Sequence, residues 1–230
     1  MSDSTYGSAT IKSIYTENIL KHLNDSKIVI VAGFQAVDKF GNITTLGRGG
    51  SDLSAVAIAS ALKAKKCEIY SDIDGIYSAD PKVISSAKLL KKISYSEMLE
   101  AASAGAKVLH NRSVNIGKKH NIPIFVKNSQ TQAIGSVVEE ISVKKEQENN
   151  FEDYKIKFLT KKDDISKICI IGDMMMSNKE AIIQIFDVAY KENVTIYMIS
   201  FSELAINIVV NKDISTSFME KLHMKLIENK

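Results

Sequence analysis

A glycine-studded loop set directly ahead of an apolar helix is the stretch around which the rest of this chain must fold. It runs from Leu46 to Asp52, LGRGGSD. Gly47, Gly49 and Gly50 let the backbone take positive φ and pass close to a ligand, and Ser51 or Asp52 can cap the next helix. That helix is expected over Leu53 to Ala64, with Leu53, Val56, Ala57, Ser60, Ala61 and Ala64 along one side. Its free N–H groups and positive dipole end would face the loop, where an anion is the natural guest. Arg48 adds a planar fork that grips a carboxylate or phosphate at two points, and Asp52 adds an acceptor or metal-organising oxygen. On these residues alone the loop reads equally as an anion site and as a strand-to-helix turn that happens to carry an arginine.

The flanks of the loop set the fold class. The apolar run Ile28 to Ala32, between Lys27 and Gly33, predicts a central strand buried on both faces. DKFGN at 38–42 predicts a turn between two short strands, a hairpin expected to hang over the loop. CEIYS at 67–71 predicts a second strand, so strand, helix and strand form a βαβ unit with a parallel sheet and right-handed crossover. Ligands bind at the carboxyl ends of such strands, which sets Ser71, Asp72, Asp74 and Gly75 beside the first loop. The turn Asp80, Pro81, Lys82 comes next. Alone it reads as a solvated acidic turn; one strand from the glycine loop, it reads as functional.

The remaining chain divides by composition. The first ten residues are small and polar and read as a loop, and residues 11–24 carry an imperfect helical stripe. A helix is expected over 94–104, opened by a capping box of Ser94 and Glu97, and another from Ala106 to Lys119 with Lys107 at its start. A lysine there opposes the helix dipole unless it faces a bound phosphate. IPIFVKN at 122–128 is a third strand, after which the chain is expected to leave the sheet. The polar run at 144–153 reads as a linker. Beyond it come strands at 155–159 and 167–171, a helix at 178–190, strands at 194–199 and 204–210, and a helix at 214–227, the pattern of a ferredoxin-like α+β module. Met174, Met175 and Met176 read as irregular packing or a contact surface, not a cofactor site.

Composition excludes several classes of function. A net charge of only +3, with no basic stripe interleaved with aromatics, argues against nucleic acid. Cys67 and Cys169 fall in no metal-ligand spacing and read as core thiols. Neither a signal peptide nor an apolar run of about 20 residues is present, so the expectation is a soluble cytoplasmic protein with no membrane partner.

In their order and spacing, VAGFQAVDKFGNITTLGRGGSD, CEIYSDIDGIYSADPK, ISYSEMLEAASAGAKVLH and MISFSELAINIVV resemble the aspartate kinases, a branch of the amino acid kinase family. The resemblance runs from about Ser4 to Gly135, and again, to the regulatory ACT module of that family, from about Lys155 to the end. It implies an α/β fold: a partial, parallel-sheet amino acid kinase domain at 1–143, the linker at 144–153, and a small α+β ferredoxin-like ACT module at 154–230. The implied reaction moves the γ-phosphoryl group of ATP, with Mg2+, onto the side-chain carboxylate of L-aspartate, the first step toward lysine, threonine and methionine. By the same resemblance Arg48 and Ser51 would hold aspartate, Gly49 and Gly50 would give close backbone approach, and Asp52 would organise the transfer site. Ser71, Asp72 and Tyr77 would line the nucleotide pocket, with Lys82 where the family usually has Arg, and Lys107 and Val108 completing the ATP contacts. No protein-held metal is implied. The implied partners are a second copy through the ACT module or a complete kinase subunit, and the alternative role is a catalytically silent regulatory subunit.

Besides Lys82, four departures accompany the resemblance. The family's lysine-bearing KFGGTS motif is absent, so the chain is expected to start inside the kinase domain. Asn111 stands before Arg112 where Pro is usual, SNKE at 177–180 replaces a Pro-Gly turn, and one ACT-like module stands where two are typical.

Overall fold

The structure, a computed structural model, describes residues 1–131, 133–141 and 156–228. The expected linker at 144–153 therefore lies outside the described residues. Two compact units are present, Met1–Lys161 and Lys162–Lys230.

In the first unit the chain order is α1 (Glu17–Asn24), β1 (Gln35–Val37), β2 (Ile43–Thr45), α2 (Gly50–Ala61), β3 (Cys67–Ser71), β4 (Lys92–Ser94), α3 (Tyr95–Ser103), α4 (Asn111–His120), β5 (Ile124–Asn128) and β6 (Ser136–Glu139). The sheet order is β3-β5-β6-β4. β3 pairs with β5 in parallel, as the βαβ reading requires, and β4 pairs in parallel with β6. Alternation explains the pairing: Cys67 on β3 and Ile124 and Val126 on β5 turn inward to meet Val56, Tyr95, Met98 and Val114 in one buried cluster. Each fully buried aliphatic or aromatic side chain there contributes about 1.5–3 kcal/mol. The capping box forms as expected: Ser94 Oγ accepts the Glu97 amide while Glu97 Oε2 accepts the Ser94 amide.

Two expectations fail in this unit for one reason, the need of a strand for a ladder. The run 28–32 forms no strand, and Ile28 and Ile30 are each 94% exposed. Apolar composition makes a run fit for a sheet centre, but β3 stands at the sheet edge with no strand of 28–32 beside it. Conversely, the segment after Ser129 does not leave the sheet. It returns as β6, antiparallel to β5, and buries Val137 and Val138.

The first ten residues are also more than a free loop. Ser2 donates its amide to the Val37 carbonyl at 2.9 Å and shares a 2.6 Å hydroxyl contact with Thr44, while Ala9, fully buried, packs on Leu46 and Leu53. They lie against the expected β1–β2 hairpin, whose turn is organised by Asp38: Oδ1 accepts the Phe40 and Asn42 amides, each at 2.9 Å.

The second unit holds β7 (Ile165–Ile171), a 3-10 turn (Met175–Ser177), α5 (Lys179–Lys191), β8 (Met198–Phe201), β9 (Ala205–Asn211), α6 (Ser215–His223) and a π-helical turn (Met224–Glu228). Its sheet is antiparallel in the order β7-β9-β8. Ile206, Ile208 and Val210 alternate inward along β9 against Ile185 of α5 and Phe218 and Leu222 of α6. Asn178, in the SNKE segment, caps α5 by accepting the Ala181 amide at 3.0 Å. Cys169 is not a core thiol: its neighbour Ile168 is buried, and strand alternation turns Cys169 to the exposed face. The strand expected at 155–159 is not formed over the described residues 156–159, which belong to the first unit.

Candidate functional site

The glycine loop is held at both ends before any ligand enters. Leu46, 1% exposed, anchors its start in a small core with Ala9 and Leu53. Gly49 caps α2 in the left-handed region, φ 70°, and the helix begins at Gly50 with no side-chain cap. Ser51 and Asp52 therefore lie in the first turn of the helix, two and three positions past the cap, and neither is the capping residue expected. The reason is steric: a Cβ on Gly49 would run into the Cβ of His110, and only glycine tolerates both that approach and the positive φ.

Arg48 projects between Gly47 (φ 75°) and Gly49, exposed and without a hydrogen bond or ion pair among the described residues. Ser51 is exposed and Asp52 half-buried. Burial pushes the Asp52 carboxyl above its ordinary range, and the nearby His110 pulls partly the other way. The same field reaches β3: burial, then Asp52 and Glu68, lift the Cys67 thiol to about 11, leaving it protonated and inert.

His110 and Arg112, which carry no site role in the sequence reading, complete this corner. His110 caps α4, accepting the Arg112 amide at Nδ1 (3.3 Å), which leaves the ring proton of a neutral imidazole on Nε2. Burial, then the charges of Arg112 and Arg48, lower its pKa against the pull of Asp52. Arg112 donates to the Leu46 carbonyl at 2.6 Å and to the Ala9 carbonyl at 2.7 Å. The sequence signal for both is the end of the segment AKVLHNR, a polar pair just ahead of a helix. The helix itself starts at Asn111, so Lys107 and Val108 lie on the irregular stretch before it, Lys107 exposed and Val108 packed on the core.

A second cluster forms at the carboxyl ends of the parallel strands β3 and β5. Ser71 Oγ accepts the Ile73 amide and its carbonyl accepts the Ser129 amide. Asp74 gathers Asn128 Nδ2 at 2.8 Å with the hydroxyls of Thr131 and Tyr77 at 3.5 Å each. Gly75, φ 148°, lies so close to Ser136 that a Cβ would sit 2.6 Å from its Oγ, and that hydroxyl takes the Ile76 amide at 2.8 Å. The loop is thus fastened down while Asp72 and Lys82 stay exposed. Asp80 Oδ1 accepts the Lys82 amide, fixing the turn and leaving the Lys82 side chain without a partner among the described residues. Asn128 and Ser136 are the residues the sequence reading missed here. No hydrogen bond or ion pair among the described residues joins this cluster to Arg48 or Asp52.

The fold is that of an α/β domain with one glycine loop at a helix N-terminus and a second loop at the ends of parallel strands. Residues 2–128 match the sequence model of the amino acid kinase family, and the chain belongs to that family. Within it, the chain falls among the aspartokinases. It is 53% identical to an aspartokinase of Bacillus sp. (strain MGA3) over 59% of this chain and 33% of that one. It is 32% identical to the aspartokinase of Geobacillus stearothermophilus over 95% of this chain and 70% of that one. It is also similar to the crystal structure of E. coli aspartokinase III in complex with aspartate and ADP, at 26% identity and a TM-score of 0.74, covering 97% of this chain. The chain spans 33% of the Bacillus relative's length and 52% of the E. coli chain.

Proposed function

We propose that this chain carries the aspartate and nucleotide sites of an aspartokinase, which passes the γ-phosphoryl group of ATP to the side-chain carboxylate of L-aspartate. The observation that carries the reading is the exposed Arg48, without a hydrogen bond or ion pair among the described residues, between two left-handed glycines at the N-terminus of α2. The guanidinium and the α2 amides supply a two-point grip and a dipole end for a carboxylate, held open by Leu46, Arg112 and His110. Ser51 stands beside the grip, and Asp52 orders the groups at the transfer point. Ser71, Asp72, Tyr77 and Lys82 receive the nucleotide with Lys107 and Val108. A phosphoryl group in flight spreads negative charge over its oxygens, so alignment and fixed cations do most of the work.

Mg2+ enters this account with the nucleotide. Among the described residues no group of three His, Cys, Asp or Glu side chains is placed to hold a metal. That donor set suits an ion carried mainly by phosphates with one or two carboxylates, for which the exposed Asp72 is available. When bound, the ion neutralises phosphate charge, and the chain's own residues orient the two reactants. The protein is further proposed to act in the cytoplasm, and to assemble with a second copy or another kinase subunit through its second unit, where Ile171, Ile183, Tyr190 and Met198 are exposed. No described helix is long and apolar enough to cross a membrane.

The test is a hydroxylamine trap for the acyl phosphate, run with MgATP and L-aspartate. Hydroxamate that depends on both substrates supports the kinase. Nucleotide binding by folded protein without any hydroxamate would instead support the silent regulatory subunit.

A further inference from the structure

Residues 157–160 leave no trace in a motif, yet they cross three parts of the first unit in four consecutive positions. Lys157 Nζ pairs with Glu97 Oε1 at 2.7 Å, at the start of α3. Phe158 packs on the main buried cluster. The Leu159 amide donates to the Ser78 carbonyl at 2.9 Å, although the Leu159 side chain is 72% exposed. Thr160 Oγ1 donates to the Ala104 carbonyl at 3.1 Å, at the end of α3.

Each of these two carbonyls borders a loop assigned to the nucleotide. Ser78 closes the loop of Ser71, Asp72 and Tyr77 and is pinned on its other side by Lys88, whose carbonyl takes the Ser78 amide. Ala104 ends α3 and begins the irregular stretch that carries Lys107 and Val108. Through their amides, Ser78 is held by the bridge to 88–90 and Ala104 by the last turn of α3; residues 157–160 add a second hold on the carbonyl of each. The exposed Leu159 side chain gains little by burial, so the packing of Phe158, the Lys157 ion pair and the two hydrogen bonds are what fix this segment in place.

We propose that residues 157–160 are a positioning strap for the nucleotide site: they tie the Ser78 and Ala104 ends of the two nucleotide loops together without touching the nucleotide. This rests on the nucleotide reading of those loops. The strap's residues are positioning residues, and their effect should fall on nucleotide affinity and leave the aspartate corner at Arg48 alone.

The test compares the full chain with Thr160→Val, which removes one donor at constant shape, and with Lys157→Met combined with Thr160→Val. Calorimetry with MgADP and, separately, with L-aspartate reads the two sites, and hydrogen exchange reads the amides at 72–82 and 104–107. The expected result is a loss of MgADP affinity of about three- to tenfold for each bond removed, faster exchange in both loops, and unchanged aspartate affinity and melting temperature. Parent protein that binds MgADP while both variants bind it equally well would overturn the strap alone. Equal losses at both sites together with a lowered melting temperature would reduce the segment to general structure and also overturn it. Parent protein that binds no MgADP would overturn the nucleotide reading, and the strap's role with it.

Discussion

Arg112 holds the entrance of the glycine loop from a different helix, donating through Nη1 to the Leu46 carbonyl at 2.6 Å while Nη2 donates to the Ala9 carbonyl at 2.7 Å. One planar group thereby joins α4, the loop and the N-terminal segment. Arg112→Met keeps much of the aliphatic stem and loses both charge-assisted bonds, so stability should fall by about 2 kcal/mol or more. Denaturant unfolding checks this, and a loss within about 0.5 kcal/mol would show that the clasp is incidental.

The close approach of Gly49 and His110 should appear as coupling. Gly49→Ala forces a Cβ into the imidazole stem at a positive φ and should cost about 1–3 kcal/mol. In a His110→Gly background the contact part of that cost disappears and only the backbone strain remains. A double-mutant cycle by thermal unfolding measures the difference, and strictly additive effects would contradict the packing described.

Ile30→Lys should be nearly silent, within about 0.5 kcal/mol, because Ile30 is 94% exposed. A strand buried on both faces would instead lose several kcal/mol from an unpaired buried cation. Chemical denaturation separates the two.

That residue also marks where the sequence stops being informative. Ile28–Ala32 and Cys67–Ser71 are both apolar enough for a sheet, and only the second has a partner, β5, along its full length. Hydrophobic patterning reports fitness for burial and says nothing about which strand lies alongside; β6 escapes a sequence reading for the same reason in reverse. Local chemistry fares better. The Ser94 and Glu97 capping box and the 38–42 turn depend on neighbours within a few residues and are found; positive φ is found at Gly47 and Gly49 but not at Gly50, which is the first residue of α2. Arg48 is legible because its loop is contiguous. His110, Asn128 and Ser136 are not, because each acts on a loop far from it in the chain and only the tertiary fold brings them there.

Glu68 gives the pH dependence a definite sign. Hydrogen bonds from Lys127 and then Lys66 hold its carboxyl down from an ordinary 4.5 to about 2. A depressed folded-state pKa means that the stabilisation is complete above pH 4.5 and is lost as the pH falls toward 2. Glu68→Gln should flatten the stability curve across that window and leave its slope near neutrality unchanged. An identical acid limb in parent and variant would contradict the pairing.

The central claim is that the glycine loop is a carboxylate clamp built on Arg48, and Arg48→Lys tests it most directly. The exchange keeps the charge and loses the planar two-point grip on an exposed loop residue that makes no hydrogen bond of its own among the described residues. Titration of L-aspartate into MgADP-saturated protein should show affinity falling by about tenfold, or about 1.4 kcal/mol, with the melting temperature unchanged. Aspartate binding of equal strength in parent and Arg48→Lys protein would contradict the clamp.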